Sequence, residues 1–408
     1  MTAPLTRIGV LIPEYPGQTH SFFWREMQRV AARPGHATEV FSTRLPAKPV
    51  RHAWVDQAPA TYLYPLPRTA LPGLLARLPW ALARLAADPL ARETLRDRKS
   101  WPMVLMALRL IRLARARGID HLHVHSCANA ALIAAFAHRL SGLPYSLVLH
   151  GPIEDYGPHQ PCKWQGARFV FVITEKLRRE MELRFPGMAD RIDVVPMGVD
   201  TDTFAPARAR PPAGAGRPFT WFCCARLNRV KGYDTLLDAL ARLRAEGHAT
   251  RLVIAGEDEQ GGSGYRREVE AMIDRLGLGD SVTLLGAVTQ EEVLARLQSS
   301  DGFVLASRQE PLGVAYMEAM SCALPVVGTA AGGVAELISE GTDGLLVPPG
   351  DSPALAGAMA RIMADPALAE RLGLAARATI LARFGAGRSA DALVGWLAAP
   401  EGRGTAPR

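Results

Sequence analysis

Cysteine is scarce in this chain. Cys127, Cys162, Cys223, Cys224 and Cys322 form an odd-numbered set, with no C-x-x-C pair and no His/Cys ligand spacing. That argues against a disulfide scaffold and for a reducing compartment, with no structural metal expected. Adjacent Cys223 and Cys224 are expected on opposite faces of a strand. No run reaches the roughly 18 uninterrupted apolar residues of a membrane span, so no transmembrane helix is expected. The apolar run at residues 8–13 is too brief for a secretory signal, and none is expected. Aromatic residues are 7% of the chain and do not interleave with basic ones, which sets nucleic acid aside as a partner. No G-x-G-x-x-G follows the first apolar run, "RIGVLI", which disfavours a dinucleotide oxidoreductase.

The chain has 408 residues, of which 48% are hydrophobic and 21% charged. That length and balance fit two globular domains with full cores. The net charge of +7 is uneven: residues 1–200 carry 26 Lys+Arg against 16 Asp+Glu, and residues 201–408 carry 21 against 24. The first half is therefore expected to face something anionic. Within it, residues 65–118 hold eleven Lys+Arg and three Asp+Glu on apolar residues at helical spacing, broken by prolines. This pattern fits helices lying on an anionic membrane surface, and equally fits helices packed on a sheet with Arg outward.

Short apolar runs alternate with helical patterns along the chain. "RIGVLI", "HATEVFST", "HLHVHS", "YSLVLHG" and "FVFVIT" read as strands of a first sheet. Composition shifts to Pro, Ala, Gly and Arg at residues 205–218, the expected linker. Alternation restarts with "FTWFCC", "RLVIAG", "SVTLLG", "GFVLAS", "LPVVGT" and "DGLLVP". Helices are expected at 22–32, 233–246, 265–276, 290–299, 313–322, 333–338, 351–364, 366–383 and 386–398. Strand–helix alternation implies α/β domains with parallel sheets covered on both faces. The expected organisation is 1–204, a linker at 205–218, 219–385, and a last segment at 386–408 returning to the first domain. Ligand is expected in the cleft at the carboxyl ends of the strands.

Arg226 and Lys231 lie on the loop after "FTWFCC". Two cations so placed either bracket a diphosphate or sit on a solvated loop. Glu310 precedes a turn at Pro311, and Glu318 lies eight positions on, in the following helix. Glu318 should stand roughly 7–8 Å along that helix from its start, at about 1.5 Å per residue. Two carboxylates at that offset can hold two sugar diols; a surface acid plus a capping acid is the alternative. The helix start near Leu312, Gly313 and Val314 offers free N–H groups to an anion.

The ensemble "ARLNRVKG", "IAGED", "VTLLGAV", "SRQEPLGVAYMEAMSCALPVVGTAAGGVAELI" and "GTDGLLVPPGD" resembles the retaining family 4 glycosyltransferases of GT-B architecture, of the exopolysaccharide type. The likeness covers nearly all of residues 190–385. It implies two Rossmann-like doubly wound domains facing across a cleft. It also implies sugar transfer from a nucleotide-diphosphate sugar with retained configuration, no cofactor and no metal. By the resemblance, Glu310 binds donor sugar hydroxyls, Glu318 the ribose diol, and Arg226 and Lys231 the diphosphate. Leu312, Gly313 and Val314 contact phosphate and sugar, and Gly286 and Val288 flank the base. In the first half "THSFFWRE" resembles the family's S-E-T-F-I-x-x-E segment, with His20 replacing its glutamate and Glu26 in its last place. The family's glycine-rich loop is reduced to Gly17. His150 takes the place of the histidine at the donor sugar, and Asp155 is a candidate for orienting the acceptor. His125, at the end of "HLHVH", either lines the cleft or serves the core. Asp200 and Asp202 have a D-x-D spacing, but their loop matches the family's interdomain segment and reads as structural rather than metal-binding. Glu257, Asp258 and Glu259 read as solvated.

The expected activity is thus a glycosyltransferase, cytoplasmic or peripheral on the inner membrane face, that extends a saccharide or a polyprenyl-diphosphate-linked oligosaccharide. A nucleotide-sugar epimerase or hydrolase of the same fold, and a non-catalytic nucleotide-sugar-binding subunit, are the alternatives.

Overall fold

The structure is a computed structural model and describes residues 5–16, 21–46, 59–207 and 216–400. The chain divides into two compact units, residues 1–197 with 386–408, and residues 198–385. Gly17, Thr19 and His20, and most of the 205–218 segment, lie outside the described residues.

The first unit carries a sheet of β1 (Thr6–Glu14), β2 (His36–Arg44), β3 (Ala60–Tyr64), β4 (His121–Val124), β5 (Tyr145–Leu149), β6 (Val170–Val172) and β7 (Ile192–Val194). Its order is β3-β2-β1-β4-β5-β6-β7, with every pairing parallel. β4 and β5 read as unbroken buried runs because helices cover both faces. β3 and β7, the two edge strands, are absent from the sequence reading. "ATYLY" and "IDV" are only partly buried, so they lack the apolar run that marks the inner strands.

Residues 65–118 fold into the helices Leu71–Ala86, Pro89–Arg96 and Trp101–Arg117. Asp88 caps the second, accepting from Ala91 N at 2.8 Å with Pro89 behind it, and Gly118 in the left-handed region ends the third. Helix Leu71–Ala86 reaches the core only through Leu74, Ala81 and Leu85. Leu75 and Trp80 on it, and Trp101, remain exposed among the arginines. The last helix, Gly387–Ala398, packs on helix Ser21–Ala31 of the same unit. Trp396 stacks on Phe169 at 5.2 Å and donates from Nε1 to Asp193, and Arg168 binds the carbonyls of Leu397 and Ala399.

The second unit carries β8 (Phe219–Cys224), β9 (Thr250–Ala255), β10 (Val282–Gly286), β11 (Gly302–Val304), β12 (Val326–Thr329) and β13 (Leu345–Val347). The order β10-β9-β8-β11-β12-β13 is again all parallel. Counted from β8 it is the doubly wound 3-2-1-4-5-6, whose direction of winding reverses between β8 and β11. Crossover loops diverge at such a reversal and leave a crevice at the carboxyl ends of those two strands. Before Phe219, Val199 bridges to Gly385 and Phe204 is fully buried within this unit. Asp200 accepts from Asp202 N at 3.2 Å and Thr203 Oγ1 at 3.0 Å, which uses it as a turn-former.

None of the five cysteines is disulfide-bonded. Burial pushes the Cys127 and Cys223 thiols up to about 12, which keeps them protonated and unreactive.

One ion pair ties the segment just before β8 to the segment just before β11. Arg217 grips the buried Asp301 carboxylate through both Nη atoms, at 2.6 and 2.7 Å, and Thr220 N donates to it at 2.8 Å. Asp301→Ala removes the carboxylate from all three donors. It is expected to cost about 2–3 kcal/mol of unfolding free energy, less than a fully buried pair because Arg217 is part-exposed. Urea denaturation followed by tryptophan fluorescence measures this; a change under about 0.5 kcal/mol would rule out the structural role.

Candidate active site

Two loops meet at the reversal in the second sheet. The loop after β8 carries Arg226 and Lys231, and the loop after β11 carries Ser307 and Glu310. Lys231 Nζ lies 2.6 Å from Glu310 Oε2, with both side chains largely buried. Ser307 Oγ donates to the same carboxylate oxygen at 3.1 Å. The Arg308 guanidinium joins the loops from outside. It binds Asp234 through both nitrogens at 2.6 and 2.9 Å and the Arg229 carbonyl at 3.0 Å, while Arg308 N donates to Val230 O at 2.7 Å. Bonding to Arg308 holds the Asp234 carboxyl below the usual carboxylate range.

Two glycines permit this approach. Gly232 has φ +65°, and a Cβ there would overlap the Ala306 carbonyl oxygen. Gly332 has φ +62°, and a Cβ there would overlap the Glu310 carbonyl oxygen. Both conformations are cheap only for glycine. Gly333 N donates to that same Glu310 carbonyl at 3.0 Å. The Gly-Gly turn thus serves the Glu310 loop, a role not read from the sequence.

Glu318 lies in helix Val314–Ser321 and is buried. Burial, joined by the Glu318 carboxylate, pushes the Cys224 thiol up. Gly313 precedes this helix at φ +98°, Leu312 is buried behind it, and Val314 opens it. Tyr316 anchors the helix by donating to Leu305 O at 2.9 Å.

Arg226 makes a different ion pair. It is half-exposed and faces Glu259 on the loop after β9 at 3.4 Å. Gly286 ends β10 and accepts from Gly256 N at 2.8 Å, and Val288, two residues on, is half-buried. The expectation that Glu257, Asp258 and Glu259 are all solvated fails for the first two. Glu257 pairs with Arg266 at 2.6 Å. Asp258 is 8% exposed and accepts from the backbone N–H groups of Gln260, Gly262, Gly264 and Arg266 at 2.8–3.0 Å. It is the staple that gives this loop its shape.

In the first unit, the carboxyl ends of β4 and β5 gather histidines. His125 Nδ1 is 3.4 Å from His150 Nε2, and the two rings stack at 5.6 Å. Glu26, on helix Ser21–Ala31, puts Oε1 3.2 Å from His123 Nε2 and 3.4 Å from His125 Nε2. Glu26, His123 and His125 are, among the described residues, the group whose donor atoms fit a metal, all within 4.8 Å. Burial works to raise the Glu26 carboxyl, but the His125 and His123 rings outweigh it and hold it well below the usual range. The alternation in "HLHVH" carries this histidine row, since His121, His123 and His125 fall on one strand face. Asp155 is exposed on the turn Ile153–Tyr156.

Among the described residues, no helix is long and apolar enough to cross a membrane. The paired doubly wound units define the GT-B class of fold. Anabaena HepE, solved with UDP, shares it at a TM-score of 0.75 and 20% identity, over 96% of this chain and 99% of that one. A sucrose-phosphate synthase of Thermosynechococcus elongatus shares it at 0.72 and 21%, over 95% and 97%. The sequence model of the "Glycosyl transferases group 1" family matches residues 209–379, and that of "Glycosyltransferase Family 4" matches residues 89–203. A GDP-mannose-dependent alpha-(1-6)-phosphatidylinositol monomannoside mannosyltransferase of Mycolicibacterium smegmatis is 34% identical over 68% of this chain and 75% of its own length. An alpha-D-kanosaminyltransferase of Streptomyces kanamyceticus is 28% identical over 67% and 75%. The chain belongs to the group 1, family 4 glycosyltransferases.

Burial works to raise the Asp258 carboxyl, but its backbone donors prevail and hold it below the usual carboxylate range. A depressed folded pKa gives stability that is full above the unfolded value, about 3.9, and lost as pH falls through the folded one. Protection of the Gly262 and Gly264 amides from hydrogen exchange should therefore hold from pH 7 to about 4 and fall below it. Asp258→Ala should lose that protection at neutral pH. Equal protection in the variant would remove the staple.

Proposed function

We propose that the protein is a retaining, metal-independent glycosyltransferase. It moves a sugar from a nucleotide-diphosphate sugar to a saccharide or polyprenyl-diphosphate-linked acceptor in the cytoplasm, with a role in exopolysaccharide assembly. The observation that carries this reading is the buried Lys231–Glu310 pair at the winding reversal of the second sheet, on the motif the family resemblance assigns to the donor. The relatives named above include a mannosyltransferase and a kanosaminyltransferase, which supports the transfer reaction and leaves base, sugar and acceptor open.

Cleaving a sugar–diphosphate bond leaves negative charge on the departing phosphates. Arg226, Lys231 and the start of helix Val314–Ser321 supply positive potential for it. Glu310, oriented by Lys231 and Ser307, accepts hydrogen bonds from donor sugar hydroxyls, and Glu318 from the ribose diol. Gly286 and Val288 flank the base, and Leu312, Gly313 and Val314 present backbone to phosphate and sugar. His150 contacts the donor sugar, Asp155 orients the acceptor, and Gly17 belongs to the loop that contacts donor or acceptor.

Glu310→Ala and Lys231→Ala should each lower transfer at least about 100-fold, as expected for lost transition-state stabilisation of roughly 3 kcal/mol, with folding retained. A thermal-shift screen of nucleotide-sugars first identifies the donor. Turnover near wild type in either variant would sink the site assignment, and loss of activity in EDTA restored by Mg²⁺ would sink the metal-free mechanism.

The exposed Leu75, Trp80 and Trp101, set among Arg77, Arg84, Arg98 and Lys99, support contact of the first unit with an anionic membrane. Leu75→Ser with Trp80→Ser should weaken co-sedimentation with anionic liposomes several-fold. Unchanged binding would remove membrane contact from the proposal.

A further inference from the structure

One carboxylate oxygen and two imidazole nitrogens converge at the end of β4. Glu26 Oε1 stands 3.2 Å from His123 Nε2 and 3.4 Å from His125 Nε2. His123 is fully buried and His125 is 3% exposed. Yet among the described residues neither Nε2 atom has a hydrogen-bond partner. A buried ring nitrogen without a partner is costly, and here two stand side by side. At these distances an N–H directed at the oxygen would bond it. Both nitrogens are therefore aimed beside Oε1 rather than at it.

The far sides of the two rings do have partners. His123 Nδ1 lies 2.8 Å from Ser146 Oγ, and His125 Nδ1 lies 3.4 Å from His150 Nε2. With hydrogen on both Nδ1 atoms, each ring donates outward and turns a bare Nε2 toward Glu26. The Ser146 hydroxyl accepts from His123 and passes its own hydrogen to His121 Nε2, at 2.8 Å. Metal-bound imidazoles are held in this manner, one nitrogen on the ion and the other donating to a neighbouring acceptor. The rival arrangement puts hydrogen on both Nε2 atoms and bonds them to Glu26, and the aim of the rings speaks against it.

The spacing selects the ion. Ligands about 2.0–2.1 Å from a tetrahedral zinc stand about 3.3–3.4 Å apart, and at the same bond length around an octahedral ion about 2.9 Å. The separations of 3.2 and 3.4 Å fit tetrahedral edges, and all three donor atoms lie within 4.8 Å of one another. We infer that Glu26, His123 and His125 form a zinc site, with a fourth position for water or a substrate oxygen. The ion ties helix Ser21–Ala31 to the histidine row and fixes the His125 ring with its Nδ1–H toward His150. It stands outside the transfer step proposed above, in which Arg226, Lys231 and a helix start of the second unit meet the diphosphate charge. The sequence reading expected no structural metal, because the carboxylate lies on a helix far upstream of the two histidines.

Zinc binding by the full chain, free of any affinity tag, tests the site. The metal-free chain, titrated with Zn²⁺ against a chelating indicator, should take up one ion tightly. X-ray absorption at the zinc edge should show two imidazole nitrogens and a carboxylate oxygen at about 2.0–2.2 Å. Glu26→Gln and His123→Ala should each weaken binding at least about 10-fold, since even an outer-shell partner is worth roughly 10–100-fold. His248→Ala, at a part-exposed histidine of the second unit, should leave binding unchanged. Absence of tight uptake overturns the site. So does an adventitious ion only, held as firmly by both ligand variants or lost in His248→Ala. The absorption spectrum reads the ligands in the wild type, so the test stands even if a variant misfolds. Neither measurement needs donor or acceptor, so failure here is distinct from failure to transfer sugar.

Discussion

The Lys231–Glu310 ion pair depends on a backbone packed too closely for side chains at two positions. A buried ion pair survives only when its geometry is good and further hydrogen bonds offset the loss of water. Here Ser307 supplies such a bond, and the Glu310 carbonyl is pinned by Gly333. Gly232 lets the Lys231 loop lie on the Ala306 carbonyl, and Gly332 lets the chain before helix Val334–Leu337 lie on Glu310. The Arg308–Asp234 fork closes the loops from the solvent side. Pulling any one of these apart separates the two charges and leaves each without its partner in a site that water hardly reaches.

Both units place their reactive groups by the same rule, with opposite chemistry. Each sheet reverses its winding, between β1 and β4 in the first and between β8 and β11 in the second, and each gathers polar groups at the carboxyl ends. The first gathers imidazoles around one carboxylate. The second gathers cations and carboxylates on loops. The histidine row runs along and just past β4, beside Glu26 of helix Ser21–Ala31. In the loop cluster the spacing of the charges is set by backbone contacts.

Much of this was legible from sequence because it is local. Inner strands announce themselves as apolar runs, whereas the edge strands β3 and β7 are too exposed to do so. Lys231 and Glu310 could each be named from their loops, but their contact joins residues 79 apart and follows only from the strand order. Asp258 looked like one of three solvated acids, since nothing local says that four backbone N–H groups turn inward upon it. The histidine row was written into the period-two alternation of "HLHVH". The carboxylate that organises it, Glu26, sits on a helix nearly a hundred residues earlier, and no spacing rule connects them.

The pairing of charges assigns different tasks to the cations of the second unit. Lys231 is neutralised by Glu310, Arg229 by Glu268, Arg266 by Glu257 and Arg308 by Asp234, all at 2.6–2.7 Å. Arg226 is held only at 3.4 Å, by a Glu259 that is largely exposed. A long, solvated pair contributes little, so its cation is the cheapest to release to an incoming anion. On the proposed reaction, Arg226 is then the side chain that swings onto the diphosphate from the rim. Lys231 stays with Glu310 and gives the sugar-binding carboxylate its fixed orientation. Lys231, held by Glu310, is thus fixed in place, while Arg226, loosely held, is the more mobile of the two cations.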